Sequence, residues 1–325
     1  MHRMIRRLIL GSASCVTAMG VWAATPDYPN KPIKLIVAFP TGGPADVTAR
    51  IISQRVSEHL GQAVVIENRG GAGGNIGAQA VAKADPDGYT YLVTTTSFAV
   101  NPALFGKEAG YDAVKDFVPV SIIATQPNAI AVHKSLGIQT LAQLRERAGK
   151  GKLSFASPGA GTTPHLTGEN LFKIKWKADL THVPYRGAGP AAAALAAGEP
   201  AVGSLAVAGI LPFVKSGRVV PLAVSSKERI PTLPDVPTLA ELGYPDILDY
   251  TWTAVLAPAG TPKTRIERFG RAIDQSLQDP EVKNSLAVQA LIPVGGTPDE
   301  FGTYLKGELK RWAAIVRETG AKLEQ

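Results

Sequence analysis

Two stretches of this 325-residue chain place glycine, proline and hydroxyl residues where an apolar strand turns into a helix. The first is FPTGGPADV, residues 39–47, and the second is SFASPGAGTTPHL, residues 154–166. In the first, Gly42 and Gly43 let the backbone turn sharply and come close to another group. Pro44 suits the first helical position, where its missing N–H costs nothing. The unpaired N–H groups at the helix start and the positive end of its dipole favour an anion, such as a carboxylate or phosphate. Asp46 has two readings. It caps the helix's own N–H groups, or it reaches a ligand amine or hydroxyl.

The second stretch repeats the arrangement. Gly159 and Gly161 precede Thr162 and Thr163, with Thr163 read as the N-cap and Pro164 as the first helical residue. Ser157, Thr162 and His165 add side-chain donors. Each stretch puts a glycine-lined helix start at the C-terminal end of a strand, where open α/β sheets bind ligands. Two such ends facing each other would clamp a small anion. One Gly-Pro helix start is more often a plain turn, so the expectation rests on the matched pair.

Other chemical signals are weaker. In RGGAGGNIGA, the glycines at 71, 73 and 77 miss the GxGxxG spacing, and a turn before a helix is the better reading. No GxxxxGK[ST] and no GxSxG occurs. After residue 23 the histidines are His59, His133, His165 and His182, none at HxxxH metal spacing. His133 and His182 are expected at strand ends on the surface. A secreted hydrolase using His165 and Ser157 is the enzyme alternative, but no base and orienting residue can be assembled from spacing. The expectation is a protein that is not an enzyme and carries no cofactor or metal.

The elements that must position these residues follow from the hydrophobic pattern. Strands are expected at 33–39, 63–67, 89–94, 128–133, 152–156, 181–184, 200–207, 219–224 and 251–257. Helices are expected after Val47 and at 75–84, 141–148, 164–173, 190–197, 263–277 and 298–319. Residues 229–247, with four prolines, read as an ordered loop. Phe301, Leu305, Leu309, Trp312 and Val316 form a stripe expected to pack in a core. The alternation implies an α/β fold of two blocks followed by a tail.

Hydrophobic residues make up 45% of the chain and charged ones 19%, a globular balance. His2, Arg3, Arg6 and Arg7, the apolar stretch 8–21 and Val21-Trp22-Ala23 read as a secretory signal cleaved before Ala24. A membrane anchor, twin-arginine export through Arg6-Arg7 and a lipoprotein at Cys15 are the weaker readings. Removing residues 1–23 takes away three arginines and no acid, which lowers the formal charge from +7 to +4. It also removes the single cysteine, which excludes a disulfide, a thiolate nucleophile and Cys-ligated zinc. No dense basic stripe with aromatics suggests nucleic acid.

With these residues in view, the chain resembles the tripartite tricarboxylate transporter receptors, the Bug or TctC-type periplasmic solute-binding proteins. YPNKPIKLIVAFPTGG with Asp46, VIENRGGAGGNIGA, ADPDGYTYL, SPGAGTTPHL, VPYRGAGPA, LPDVPTLAELG and APAGTP occur in the family's order over essentially all of the chain beyond the signal. The resemblance implies a periplasmic-binding-protein type II-like α/β fold, a two-domain Venus flytrap with two interdomain crossovers near Gln126 and Asp249. Residues 24–125 plus 250–325 would form domain 1 and residues 126–249 domain 2.

The resemblance further implies a small carboxylate, a dicarboxylate or an aromatic or aliphatic acid, held by backbone amides and waters in the cleft. The first wall would hold Phe39, Thr41, Gly42, Gly43, Asp46, Thr95 and Ser97. The second would hold Ser157, Gly161, Thr162, His165, Tyr185, Arg186 and Gly187. Where many members read like VDLMFDN, this chain has AVGSLAV, with Ala201 and Leu205 at the acidic positions. Taking Leu205 as a ligand contact, the loss of acid favours an aromatic or aliphatic acid over an amino acid. The implied partners are the carboxylate and membrane permease subunits, for a monomeric receptor that binds no nucleic acid. A ligand-sensing subunit of a signalling system shares the fold and is the other binding-protein reading.

Overall fold

Apolar strands alternating with helices build two sheet halves that share one long strand. In this computed structural model the described residues are 28–151 and 153–320. The signal reading at residues 1–23 lies outside them. The chain opens with β1 (Ile33–Val37), α1 (Pro44–Leu60), β2 (Val64–Asn68), α2 (Asn75–Ala82), β3 (Thr90–Thr95) and α3 (Ser97–Phe105). The long strand β4 (Phe117–His133) follows, then α4 (Leu141–Ala148), β5 (Leu153–Ser157) and α5 (Thr163–Glu169). Next come β6 (Leu180–Pro184), α6 (Ala188–Ala197), β7 (Val202–Ala206), α7 (Val207–Lys215) and β8 (Val219–Val224). The chain continues with β9 (Tyr250–Pro258), α8 (Lys263–Gln278), α9 (Pro280–Val288), β10 (Ile292–Gly295) and α10 (Pro298–Thr319).

The strand order is β2-β1-β3-β9-β4-β7-β5-β6, with β8 and β10 also paired to β4. β1 runs parallel to β2 and β3, and β5 runs parallel to β6 and β7, as strands joined by helical crossovers do. β4 changes partners along its length. Up to Pro127, opposite Tyr250, it pairs with β9; from Asn128, opposite Ala206, it pairs with β7. The chain returns at Asp249, whose N–H donates to Ser225 O just before β9 begins. Residues 229–247 form turns, as expected, and Leu239 N–H ties them to Val224 O.

Each half is packed on both faces. Leu35, Val37 and Tyr91 of the first half meet Ile52 and Val56 of α1 and Phe269 of α8. The Tyr91 and Phe269 rings stack at 4.2 Å. On the opposite face Phe98, Trp252, Phe301, Leu305, Trp312 and Val316 form the core, so most of the α10 stripe packs inward. The second half has its own clusters, around Leu195, Leu205 and Ile210 and around Phe155, Leu171 and Phe172.

The strand expected at 128–133 begins at Phe117 instead. Pro119 and Pro127 obscure it in the sequence, and register shifts beside Pro119 and Ile122 accommodate the irregularity. Helices α3 and α7 were not expected from the pattern. Both contain an internal proline, Pro102 and Pro212; α3 is apolar nearly throughout and shows no amphipathic stripe, while α7 is short and buries only Val207, Ile210 and Leu211 along one face.

Candidate functional site

Four helices, α1, α5, α6 and α7, start on one narrow cleft between the sheet halves. Their N-caps are Gly43, Thr162, Gly187 and Ala206, and none of these makes a side-chain cap hydrogen bond. By contrast, the side chains of Thr140, Asp279 and Thr297 cap α4, α9 and α10, away from the cleft. The cleft therefore collects the positive ends of four helices with no side-chain cap of their own, although Gln126 Oε1 takes the Ala208 N–H in the first turn of α7. Its first wall is Phe39, Pro40, Thr41, Gly43, Pro44, Ala45, Thr95 and Thr251. Its second is Pro158, Thr162, Thr163, Pro164, residues 187–190 and Ala206. No lysine or arginine is among them, so a bound anion would be met by backbone and hydroxyl donors.

Of the residues expected at the site, Phe39, Thr41, Gly43, Thr95, Thr162 and Gly187 line the cleft. The others support it from behind or face elsewhere. Asp46 is 1% exposed and accepts hydrogen bonds from Gly42 N–H at 2.9 Å, Asn68 Nδ2 at 2.9 Å and Arg50 Nε at 3.0 Å. Burial pushes its carboxyl up, but Arg50, the Gly42 amide and Asn68 outweigh that and hold it below the usual carboxylate range. Asp46 thus does not cap its own helix. It braces the glycine turn ahead of its own helix, together with Asn68, whose Nδ2 also donates to Phe39 O. Ser97 Oγ pairs with Thr95 Oγ1 at 2.9 Å.

In the second wall Thr162, not Thr163, is the N-cap of α5. Thr162 Oγ1 donates to Gly159 O at 2.8 Å, while Thr163 Oγ1 pairs with Thr251 Oγ1 of β9. Ser157 is fully buried and hydrogen-bonds to His182 Nε2 at 2.6 Å. His182 is buried rather than on the surface, because the strand alternation of β6 turns it inward. The His165 ring stacks on it at 4.0 Å, and His165 Nδ1 accepts Gly161 N–H at 3.4 Å. Burial pushes His165 down to about 3, with His182 and Lys173 adding to the effect, and burial alone pushes His182 to about 4. The pair is therefore a neutral support beneath the loop. The Ser157–His165 pairing of the hydrolase alternative is not formed: Ser157 engages His182 instead.

Tyr185 OH donates to Glu199 O, and Arg186 is exposed outside the cleft. Leu205 does not face the cleft. It lies at 0% exposure in an apolar cluster with Leu195 and Ile210. Alternation along β7 gives the other face to Ser204, which donates to Pro164 O, and to the cleft residue Ala206. A ligand preference read from Leu205 loses its physical basis. Sequence reasoning missed Pro40, Ala45, Pro158, Thr163 as a liner, Ala188, Ala206 and Thr251. GAGP at 187–190 was a visible third helix start; Ala206 and Thr251 carry no local signal.

The halves touch at the cleft mouth. A Cβ at Gly187 would lie 3.3 Å from Pro40, and one at Gly73 3.0 Å from Ala160 O. A Cβ at Gly161 would lie 2.5 Å from Asn101 Oδ1 and 3.0 Å from Leu104. Among the described residues no cluster of His, Cys, Asp or Glu could hold a metal ion, and no helix is long and apolar enough to cross a membrane.

Comparison with known proteins gives the same direction. Residues 48–321 match the model of the tripartite tricarboxylate transporter family receptor, TctC. Protein BugT of Bordetella pertussis is 39% identical over 301 residues, covering 91% of this chain and 92% of BugT. The structure of an R. palustris protein with adipate superposes with a TM-score of 0.87 at 34% identity, over 91% of this chain and 100% of that one. MatC from Rhodopseudomonas palustris, with bound malate, gives a TM-score of 0.83 at 30% identity, over 89% of this chain and 100% of that one. The fold is that of the two-domain periplasmic binding proteins, and the chain belongs to the tripartite tricarboxylate transporter receptor family of solute-binding proteins.

Proposed function

We propose that this protein is a periplasmic receptor that captures a small carboxylate in the cleft and delivers it to the membrane permease subunits of a tripartite tricarboxylate transporter. The observation that carries this reading is the convergence of four helix N-termini, without side-chain caps of their own, on a cleft lined by no cationic side chain. Backbone donors at helix starts suit a carboxylate, and each charge-assisted bond contributes about 1.5–3 kcal/mol net. The acids in the names of two relatives, adipate and malate, support the same ligand class.

Residues 24–125 with 250–325, and residues 126–249, are proposed to move as two bodies about the crossings at Gln126–Asn128 and Asp249–Tyr250. Ligand would enter an open cleft and bridge both walls on closure, a hinge motion. The test is mass spectrometry of small molecules released on denaturing freshly purified protein, followed by calorimetric titration with the acid found. A carboxylate bound one to one supports the reading. A released amine or sugar, with no response to any carboxylate, would overturn it.

A further inference from the structure

Behind the cleft, α10 reaches from the first half onto the second. Leu166 of α5 is buried in the same apolar cluster as Phe301, Leu305 and Trp312 of α10. From the same helix, Arg311 Nη2 donates to Leu248 O at 2.9 Å and to Asp249 Oδ1, where the chain returns to the first half. The other carboxylate oxygen, Asp249 Oδ2, lies 3.0 Å from Thr167 Oγ1 of α5. Thr167 Oγ1 accepts Asn128 Nδ2 at 2.9 Å, just past the first crossing on β4. Asn128 Oδ1 in turn accepts Thr251 Oγ1 at 2.9 Å, and Thr251 Oγ1 pairs with Thr163 Oγ1 at 2.5 Å. Thr163 and Thr251 line the cleft, whereas Arg311, Asp249, Thr167 and Asn128 do not. One chain of bonds thus runs from the outer side of α10, through both crossings, to the cleft floor.

Asp249 is 3% exposed, and the cation paired with it is Arg311. Removing the partner of a buried charge is costly, so this pair holds its two elements firmly. The bonds join residues of the two proposed bodies. Arg311 and Thr251 belong to the first; Leu248, Asp249, Thr163 and Thr167 belong to the second. A rotation about the crossings would carry α10 away from α5 and strain or break these bonds. They therefore favour the arrangement in which the halves touch, at Gly187 against Pro40 and at Gly161 against Asn101. We propose that Arg311, Asp249 and Thr167 clamp the hinge from behind and hold the halves together. They are positioning residues: they raise affinity by raising the share of closed receptor, without touching the bound acid. This inference rests on the carboxylate-receptor reading with its two moving bodies.

The test titrates adipate, malate, butyrate and benzoate by calorimetry into the wild type, Arg311→Met, Thr167→Val and Thr167→Ser. Small-angle X-ray scattering is recorded on each protein without ligand. Arg311→Met keeps the side-chain stem and removes the cation; Thr167→Ser keeps the hydroxyl that Thr167→Val removes. Arg311→Met and Thr167→Val should bind about tenfold or more weakly, the loss of one bond to a charged group. The factor should be the same for every acid that the wild type binds, because a population shift does not depend on which acid fills the cleft. Thr167→Ser should stay within about twofold of the wild type. Unliganded Arg311→Met should have a larger radius of gyration than the wild type. If Arg311→Met does not fold, Arg311→Lys takes its place and should show a loss of the same kind, since it lacks the planar fork. Affinities within about twofold of the wild type, losses that differ between acids, or an equal radius of gyration would overturn the inference alone. A wild type that binds none of the four acids would overturn the carboxylate reading, and the radius of gyration would then decide the clamp by itself.

Discussion

Gly161→Ala should separate ligand capture from folding. Gly161 has a φ of +79°, a left-handed conformation that costs an alanine about 1 kcal/mol whether the cleft is open or shut. In the present arrangement the added Cβ would also lie 2.5 Å from Asn101 Oδ1, 3.0 Å from Leu104 Cδ2 and 3.3 Å from Phe105 Cε2. All three neighbours belong to α3, across the cleft. Asn101 cannot swing aside freely, because its Nδ2 donates to Gly73 O at 3.0 Å and to Asn75 Oδ1 at 2.6 Å. Overpacking of this kind costs about 1–3 kcal/mol. If the contact exists only when the halves are together, that cost falls entirely on the liganded state. Calorimetric titration should then show affinity reduced by roughly 5- to 150-fold. Thermal unfolding of the unliganded protein should drop only by the backbone share. A Kd within about twofold of wild type would refute the claim that these loops meet around the ligand.

Further predictions concern the supports of the two walls. Thr162→Ala removes the bond to Gly159 O and a cleft hydroxyl, so affinity should fall while the circular dichroism spectrum stays unchanged; equal affinity by calorimetry would end that role for Thr162. Asp46→Asn should destabilise the protein by about 1–3 kcal/mol at neutral pH by weakening its bonds to Gly42, Arg50 and Asn68. Because the native Asp46 carboxyl lies below its ordinary value, that difference should shrink as pH falls through the native titration, measured by urea unfolding of both proteins. The His165–His182 pair predicts acid sensitivity of the opposite kind of group. Below about pH 6.5 the unfolded chain takes up protons that the folded pair refuses until about pH 4 or lower. Stability should be complete above that range and decline by about 1.4 kcal/mol per pH unit for each histidine as pH falls. Glu169, 3.9 Å from His165 Nε2, tempers this and Lys173 adds to it. A His165→Gln/His182→Gln variant should show a flatter pH profile, and an unchanged slope would contradict the buried-neutral assignment.

Both glycine turns were legible in the sequence because their chemistry is local. A strand, glycines and a proline at the helix start are enough to mark Gly43 and Thr162 as cleft positions. The helices α4 and α10 were legible to the residue, because α4 is marked by a capping box and α10 by an amphipathic stripe and its own capping box. What could not be read depends on strand register and on contacts far apart in the chain. Thr251 and Ala206 reach the cleft only because β4 passes from one set of partners to another beside them. Helix α7 starts at Ala206 without a capping residue of its own, and Gln126, far back in the chain, accepts from its first turn. Asp46 read as a local cap or ligand group because its partner Asn68 lies 22 residues away, on the neighbouring strand. Leu205 was placed by matching a sequence pattern, and alternation along β7 turned it into the core.

In the proposed receptor, helix N-termini from both halves hold one carboxylate. Two-dimensional amide NMR of the 15N-labelled protein, titrated with the acid identified by mass spectrometry, tests it most directly. The predicted result is that the largest saturable shifts fall together on Gly43 and Ala45 in the first wall and on Thr163, Ala188 and Val207 in the second. Shifts confined to one wall, or centred away from these helix starts, would contradict the account.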